Sequence, residues 1–308
     1  MLRAVTLELD ELLREQAISH VNALAERSGG LVRRAELEEF TFEGTRIPLI
    51  ARQQGIWKPR QLPAALSILT TWTRPGHPPP YDDDIGPDNY PRYKWRGTDA
   101  GHPDNVALRR AMELGRALIW FIGQAPGVFT PLAPVWLADE EPSAQQFVVA
   151  LDEWMHRGWK RDLAVATQFD PVRRYAQVVV RARLHQRPFR DRVLLAYGSQ
   201  CALCRLRHLR LLDAAHIKED SDGGEPVVTN GMAMCAIHHR AFDAHVLTVR
   251  PDYHVEVSPK VLVEHDGPTL QYALQSLHGE SIILPKHRTE RPSPELLEER
   301  YERFRLAV

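Results

Sequence analysis

The stretch CALCRLRHLRLLDAAHIKEDSDGGEPVVTNGMAMCAIHHRAFD, residues 201–243, holds all three cysteines of the chain. They belong to two doublets of two-residue spacing, Cys201 with Cys204 and Cys235 with His238. Three thiolates and an imidazole suit a tetrahedral structural Zn²⁺ and leave no position open for substrate. Buried apolar cysteines beside an incidental histidine are the alternative, but two such doublets seldom arise by chance. The stretch therefore predicts a structural zinc site that folds this half of the chain.

A second set of polar residues lies between the doublets or just after them: Asp213, His216, Asn230, His239 and Asp243. His216, in the predicted strand LLDAAHI, is the candidate general base, because a neutral imidazole can take a proton from a water that attacks a phosphodiester. Asn230, in the turn TNG, is expected to orient that imidazole by a hydrogen bond across the hairpin. Each residue alone is more often a core or turn residue, but the conjunction favours a catalytic centre.

The same residues predict a site for a catalytic divalent ion. His239 and Asp243 are four residues apart, so they share one face of the predicted helix. Asp213 completes the ligand set from the strand face opposite to His216. Two carboxylates favour Mg²⁺, and mixed histidine and aspartate ligation also accepts Mn²⁺. Such an ion stabilises the charge that develops during phosphodiester hydrolysis.

Residues from about Phe189 to Leu247 resemble the HNH endonuclease family, through CALC, LLDAAHI and TNGMAMCAIHHRAFDAH. The resemblance implies a ββα-metal fold and metal-dependent cleavage of DNA. It places His216 as the first motif histidine, Asn230 as the asparagine and His239 as the last histidine. The chain departs from the family at Ala215, where many members carry a histidine or aspartate, and at Asp243, where a histidine is common. Asp213 is the predicted substitute for the ligand missing at Ala215.

Size and composition are those of a soluble globular protein. The chain has 308 residues, of which 44% are hydrophobic and 26% are charged, so two or three domains are expected. No apolar run approaches the ~20 residues that span a bilayer. The N-terminus MLRAVTLELDELL carries acidic residues where a secretory signal is apolar. Because the cysteines fit a metal pattern rather than disulfides, we expect a cytoplasmic protein.

Positive charge is concentrated in one part of the sequence, although the formal net charge is only −1. Residues 157–210 hold thirteen lysines and arginines against three aspartates. A local excess beside a nuclease site is what neutralisation of nucleic-acid phosphates requires, whereas a solvated helix face is the alternative. The basic residues are Arg157, Lys160, Arg161, Arg173, Arg174, Arg181, Arg183, Arg187, Arg190, Arg192, Arg205, Arg207 and Arg210.

The pattern along the chain predicts an α+β protein in three parts. Helical spacing covers Thr6–Arg27 and ends at a pair of glycines, and another helix is expected from Asp104. Residues 1–155 are predicted to form a β-barrel-like domain with helices, 156–196 a basic helical connector, and 197–308 the HNH domain with a C-terminal tail. Five segments have the aromatic and β-branched composition of strands: FTFEGTRIPLI, LPAALSILTTW, ALIWFIG, VFTPLAPVWLA and QQFVVAL.

The N-terminal part contains a segment dense in aromatic and polar residues, YDDDIGPDNYPRYKWRGTDAGHPDN. Stacking together with edge hydrogen bonds is how an extruded base is held, so these residues predict a pocket for a modified base or for DNA. The alternative is that the aromatics form the core and rim of the barrel. The candidates are Tyr81, Asp82, Tyr93, Trp95, Arg96, Asp99, Asn105 and Trp120.

The layout, with this segment ahead of a nuclease, resembles modification-dependent, type IV-like restriction endonucleases. In that group the N-terminal domain is often a PUA-like barrel of the SRA kind, which implies recognition of 5-methylcytosine or 5-hydroxymethylcytosine. A domain that recognises phosphorothioate is a competing interpretation, because an aromatic and proline-lined pocket also suits a sulfur atom on the backbone.

The function expected from the sequence is cleavage of modified double-stranded DNA, with structural Zn²⁺ and catalytic Mg²⁺ or Mn²⁺. One HNH centre cuts one strand, so cleavage of both strands favours a homodimer. Two alternatives stay open at this stage: a nickase without preference for modification, and a zinc-stabilised DNA-binding regulator that does not cleave.

Overall fold

A computed structural model of the chain describes residues 7–51, 53–72, 85–86, 88–162 and 186–307. The chain divides into two compact units, Met1–His185 and Gln186–Val308. Within the described ranges no helix combines the length and the apolar character that crossing a membrane requires. Most of the predicted basic connector lies outside the described residues.

The N-terminal unit is built on a seven-stranded mixed sheet. Its strands follow the order β4-β5-β7-β8-β9-β6, with β1 paired to β8, and the β5–β7 pair is parallel. The helices are α1 Leu7–Ser28, α2 Arg34–Glu38, α3 Pro103–Glu113 and α4 Glu153–Asp162. The strands are β1 Val32–Arg33, β2 Thr41–Phe42, β3 Thr45–Arg46, β4 Ile56–Trp57, β5 Ser67–Thr70, β6 Arg92–Lys94, β7 Leu118–Ala125, β8 Val128–Glu141 and β9 Gln146–Ala150.

The first part of strand β7, residues 118–122, is apolar because both of its faces are covered. Leu118 and Trp120 belong to one buried cluster, whereas Ile119 and Phe121 belong to a second one that includes the buried side of α1. Side chains that alternate along a strand point to opposite faces of the sheet. A strand buried on both sides is therefore an uninterrupted apolar run in the sequence.

The sheet of the domain that the sequence predicts to be β-barrel-like is a curled half-barrel. Among the described residues no hydrogen-bonded ladder joins β4 to β6. A side chain links these two ends instead: the hydroxyl of Tyr93, in β6, lies 2.9 Å from the carbonyl oxygen of Gly55 and 3.2 Å from that of Leu69 in β5. Local sequence predicted the strands, but their closure depends on pairing between distant segments.

The C-terminal unit contains the predicted ββα arrangement. Strands β10 Leu212–His216 and β11 Gly231–Cys235 are antiparallel, with His216 opposite Gly231, and the helix Ala236–Asp243 follows directly. The other strands are β12 Leu247–Val249 and β13 Val255–Val257. The helices of this unit are α5 Arg187–Ala196, α6 Ala236–Asp243, α7 Pro259–Leu262, α8 Pro268–Ala273 and α9 Pro294–Ala307.

Candidate active site and metal centre

The four residues of the predicted zinc site lie together, and we call them the zinc cluster. Cys201 and Cys204 lie in a tight knuckle, closed by a backbone hydrogen bond from Arg205 to Cys201. Cys235 precedes the first residue of α6, and His238 lies in the first turn of that helix. Their ligand atoms all lie within 4.8 Å of one another.

The spacing within the zinc cluster fits a tetrahedral Zn²⁺. Ordinary zinc bond lengths place two sulfur ligands ~3.8 Å apart and a sulfur and a nitrogen ~3.5 Å apart. The Sγ atoms of Cys204 and Cys235 are 3.9 Å apart, and Nδ1 of His238 lies 3.4 Å from Sγ of Cys201 and 3.2 Å from Sγ of Cys235. The cluster therefore has the donor set and the geometry of a structural zinc site.

The outer nitrogen of His238 has a fixed partner. Its Nε2 lies 2.7 Å from the carbonyl oxygen of Ala273, at the end of α8. A carbonyl only accepts, so Nε2 carries a proton, and Nδ1, which faces the thiols, is the ring nitrogen that a metal would bind. Helix α8 therefore orients a ligand that lies 35 residues away in the sequence.

The metal-free zinc cluster favours a thiolate at Cys235 and a protonated imidazole at His238. Hydrogen bonds with Cys201 and then Cys204 hold the pKa of the Cys235 thiol well below its ordinary value. Burial lowers the pKa of His238, but hydrogen bonds with Cys201 and Cys235 outweigh burial and raise that pKa to about 10. A site that stabilises thiolate beside a cation suits a divalent metal, which binds in place of the protons.

The three predicted ligands of the catalytic ion meet around one imidazole ring. Nδ1 of His239 lies 3.6 Å from Oδ2 of Asp213, and Nε2 lies 3.5 Å from Oδ2 of Asp243. Strand β10 and the last turn of α6 therefore present carboxylates to the two edges of the same ring. A single ion binds only one ring nitrogen, so one aspartate must rotate if all three residues are to share it.

The carboxylates act on the titration of this ring. The hydrogen bond with Asp213 is the main reason why the pKa of His239 is raised, and the negative charge of Asp243 raises that pKa further. Burial raises the pKa of Asp213, but the hydrogen bond with His239 and the N–H of Ala214 outweigh burial and lower it. Two carboxylates and an imidazole suit Mg²⁺ or Mn²⁺ by donor type.

His216 is held against an aromatic ring. Its imidazole stacks on the phenyl ring of Phe189 in α5, with centroids 4.1 Å apart and planes 18° apart. Burial is the largest cause that lowers the pKa of His216, and the charge of His239 lowers it further. The imidazole is therefore kept neutral, which is the form a general base needs.

Asn230 holds a loop rather than the imidazole of His216. The side chain is buried, and its Oδ1 accepts a hydrogen bond from the backbone N–H of Lys218 at 2.8 Å. Its Nδ2 donates to the carbonyl oxygens of Lys218, at 3.0 Å, and Glu225, at 2.9 Å. The expected hydrogen bond across the hairpin is thus replaced by bonds that fix the backbone just after His216.

A cavity of about 300 Å³, the active-site cavity, opens beside Asp213, His239 and Asp243. Two arginines that sequence reasoning did not assign to the site, Arg210 and Arg240, also line it. Their side chains have no ion-pair or hydrogen-bond partner among the described residues. Arg210 directly precedes the motif LLDAAHI, and Arg240 directly follows His239. Their positions next to these motifs could have identified both as candidate site residues. The other lining residues are Leu211, Leu212 and Ala236.

In the N-terminal unit, three of the predicted base-binding residues share a cavity of about 310 Å³, which we call the N-terminal cavity. They are Tyr93, Trp95 and Arg96; Tyr81 and Asp82 lie outside the described residues. The indole N–H of Trp95 is buried without an acceptor among the described residues. The cavity is also lined by Arg34, Gln53, Gln54, Gly55, Ile56, Leu69, Thr71 and Lys94.

The remaining candidates support the fold of that unit and do not line the N-terminal cavity. Asn105 is buried and binds the backbone of Arg96 and Asp99. The carboxylate of Asp99 accepts a hydrogen bond from a backbone N–H two residues on. Trp120 is a core residue whose indole N–H donates to the hydroxyl of Thr70 at 2.9 Å. For these three residues the alternative interpretation, a structural role, is the one that fits.

Comparison with protein families identifies the C-terminal unit. Residues 201–250 match the HNH_2 family, described as HNH endonuclease. They form an HNH endonuclease domain. The HNH domain covers the zinc cluster and the residues from Asp213 to Asp243, so this part of the chain is a metal-dependent nuclease domain. None of the curated protein sequences compared with the chain is similar enough to count as a match.

The solved structures that are similar to this chain include two restriction endonucleases. One is described as the modification dependent TagI restriction endonuclease; it has 17% identity and a TM-score of 0.29, and the match covers 82% of this chain and 85% of that one. The other is described as the type IV phosphorothioation-dependent restriction endonuclease ScoMcrA. It has 14% identity and a TM-score of 0.25, and the match covers 62% of this chain and 48% of that one.

Proposed function

We propose that the protein is a DNA endonuclease in which His216 is the general base and Asp213, His239 and Asp243 hold the catalytic ion. The single observation that carries this proposal is the active-site cavity, where two carboxylates and an imidazole converge beside two arginines that have no partner in the described part of the chain. Carboxylates bind a divalent cation, and unpaired guanidinium groups bind phosphate. A phosphodiester is the substrate that needs both.

The roles of the individual side chains follow from their positions. The neutral imidazole of His216 takes the proton of the attacking water, while the ring of Phe189 keeps its plane fixed. Arg210 and Arg240 neutralise the phosphates on either side of the bond that is cut. Asn230 holds the backbone after His216 in place. A bound Mg²⁺ or Mn²⁺ supplies Lewis-acid stabilisation of the charge that develops on phosphate.

The test is cleavage of a DNA duplex by His216→Ala in the presence of Mg²⁺ or Mn²⁺. The variant is expected to lose cleavage while it keeps its zinc and its affinity for DNA, because only the base is removed. His265→Ala, which removes an exposed loop histidine, is the matched control and should cut at the wild-type rate. A wild-type protein that binds DNA but does not cut it would instead support the regulator interpretation.

We also propose that cleavage depends on modification of the DNA and that the N-terminal cavity receives the modified base, 5-methylcytosine or 5-hydroxymethylcytosine. The cavity combines aromatic rings from Tyr93 and Trp95 with a cationic rim from Arg34, Lys94 and Arg96. The buried indole N–H of Trp95 has no acceptor among the described residues, and a base inserted beside this side chain would offer one through its carbonyl or ring nitrogen. In this proposal the half-barrel recognises the modified base, as a domain of the SRA kind does.

A panel of duplexes tests the dependence on modification. Plain, methylated, hydroxymethylated and phosphorothioated DNA are digested in parallel by wild type and by Trp95→Phe, which keeps an aromatic ring but removes the N–H. Preference for one of the base-modified duplexes, lost in Trp95→Phe, is the expected result. Trp154→Phe, at a tryptophan that is 45% exposed, is the control. Equal cutting of all duplexes would show a non-selective nickase, and preference for phosphorothioate would move recognition to the backbone.

A homodimer is part of the proposal because each chain has a single set of catalytic residues among those described. Light scattering of the protein on modified DNA is expected to give two chains per duplex, and a monomer in both free and bound forms would contradict this. The cytoplasm is the expected location, since it keeps the thiols of the zinc cluster reduced.

A further inference from the structure

The C-terminal helix α9 inserts one charged side chain into the HNH unit. Arg300 is only 7% exposed, although arginine is among the residues least often buried. One of its nitrogens, Nη1, lies 3.3 Å from the carbonyl oxygen of Ile217, and the other, Nη2, lies 2.9 Å from the carbonyl oxygen of Phe242. Burying a guanidinium costs free energy unless its donors find acceptors. The two carbonyls satisfy Nη1 and Nη2, whereas Nε has no partner among the described residues.

The two carbonyls belong to the two halves of the active site. Ile217 directly follows the proposed general base His216, and Phe242 directly precedes the proposed metal ligand Asp243. The guanidinium is also 3.8 Å from Oδ1 of Asp243, and its carbon lies 3.9 Å from the centroid of the Phe242 ring. One planar group therefore joins the end of β10 to the last turn of α6.

We propose that Arg300 is a positioning residue that sets the separation between the general base His216 and the metal ligand Asp243. This inference rests on the function proposed above. The planar fork of arginine is what the geometry requires, because two of its nitrogens donate in different directions while the face lies over Phe242. The three donors of a lysine radiate from one atom at the end of a flexible stem, so a lysine does not hold both elements at a fixed distance.

Neighbouring charges on α9 supply the controls. Arg303 pairs with Asp222 at 2.5 Å and with Glu299 at 2.7 Å, and both its partners and its own side chain are about 40% exposed. Exposed pairs of this kind contribute little to stability. Arg303→Gln therefore removes a cation three residues away on the same helix without touching the carbonyls of Ile217 or Phe242.

The experiment compares Arg300→Lys, Arg300→Ala and Arg303→Gln in zinc-loaded full-length protein. The first readout is Mn²⁺ affinity, measured by electron paramagnetic resonance in the His216→Ala background, and the second is cleavage as a function of Mn²⁺ concentration. Arg300→Lys is expected to weaken Mn²⁺ binding several-fold and to lower cleavage about 100-fold, which is the effect of roughly 1 Å of misplacement. Zinc content and circular dichroism stay at the wild-type level, as they do in Arg303→Gln.

Millimolar guanidinium added to Arg300→Ala is expected to restore part of the cleavage, whereas a merely structural role gives no such rescue. Wild-type Mn²⁺ affinity and cleavage in both Arg300 variants would overturn the inference. Loss of folding in Arg300→Ala together with an unchanged Mn²⁺ response in Arg300→Lys would overturn it too. If wild type binds Mn²⁺ but cuts no DNA, the proposed function fails, and the Mn²⁺ affinities still decide the role of Arg300.

Discussion

The imidazole of His216 lies nearly parallel to the phenyl ring of Phe189, with the ring centroids 4.1 Å apart. The stack fixes the plane of the proposed general base and shields one of its faces from water. Phe189→Leu keeps an apolar side chain at this position but removes the flat surface. We expect the rate constant for cleavage to fall about tenfold, because a misaligned base transfers a proton less efficiently.

The measurement for Phe189→Leu is single-turnover cleavage with saturating Mn²⁺, which separates chemistry from binding. Phe304→Leu, at a buried phenylalanine of α9, is the control for loss of a core aromatic. If both variants slow cleavage to the same extent, the effect belongs to general destabilisation and not to the stack.

Gly231 leaves the room that this stack needs. It pairs with His216 across the hairpin, and a Cβ at its position would lie 2.5 Å from Cγ2 of Val193 and 2.8 Å from Cζ of Phe189. Gly231→Ala is expected to lower the free energy of unfolding by about 1–3 kcal/mol, the usual result of overpacking. Urea unfolding measures this, and Gly267→Ala, where an added Cβ meets no atom of the described residues within 4 Å, should change it little.

The loss of cleavage activity at low pH, the acid limb of the pH profile, should reflect the burial of His216. A general base works in its neutral form, and burial lowers the pKa of His216 below the ordinary histidine value of about 6.5. Activity should therefore persist as the pH falls to 6.5 and drop only below it. In Phe189→Leu the ring is more exposed, its pKa returns toward the ordinary value, and the limb moves to higher pH. A profile of kcat/KM against pH is the measurement, and the same limb in both proteins would argue against His216 as the titrating base.

The zinc cluster and the ββα unit were predictable because their information is local. Two doublets of fixed spacing flank one hairpin and one helix, so the sequence itself brings Cys201 close to Cys235. Strand alternation also assigned the face of Asp213, whose carboxylate lies 3.6 Å from the imidazole of His239, and its role as a metal ligand stays a prediction. Sequence order and periodicity are enough for contacts of this kind.

Contacts between distant segments could not be predicted in the same way. Arg300 reaches Ile217 across 83 residues, and nothing in the spacing of α9 distinguishes it from Arg303. Asn230 was expected to bind an imidazole, but the loop after His216 turns its backbone toward the buried amide instead. The N-terminal strands were recognisable one by one, whereas the parallel pairing of β5 with β7 that shapes the half-barrel depends on the tertiary fold.

Removal of metal from the zinc cluster should unfold the C-terminal unit. Cys235→Ser replaces a buried thiolate ligand, and since zinc-binding energy is folding energy, the variant is expected to lose its zinc and much of its ordered structure. Metal analysis and circular dichroism measure both. Asp243→Asn is the contrasting variant: it should keep zinc and structure but lose cleavage. A folded, zinc-free Cys235→Ser protein would contradict the structural role of the cluster.

Asp213 should be required for binding of the catalytic ion, because Ala215, the usual ligand position in the family, is fully buried here. The side chain of Asp213 is 54% exposed and faces His239 in the active-site cavity. Asp213→Asn keeps the size of the side chain but removes its charge, so we expect Mn²⁺ affinity to fall about tenfold or more and cleavage to fall with it. Isothermal titration of zinc-loaded protein with Mn²⁺ measures the affinity. Asp266→Asn, at an exposed loop aspartate, is the matched control, and equal Mn²⁺ affinities in the two variants would mean that the ion is held without Asp213.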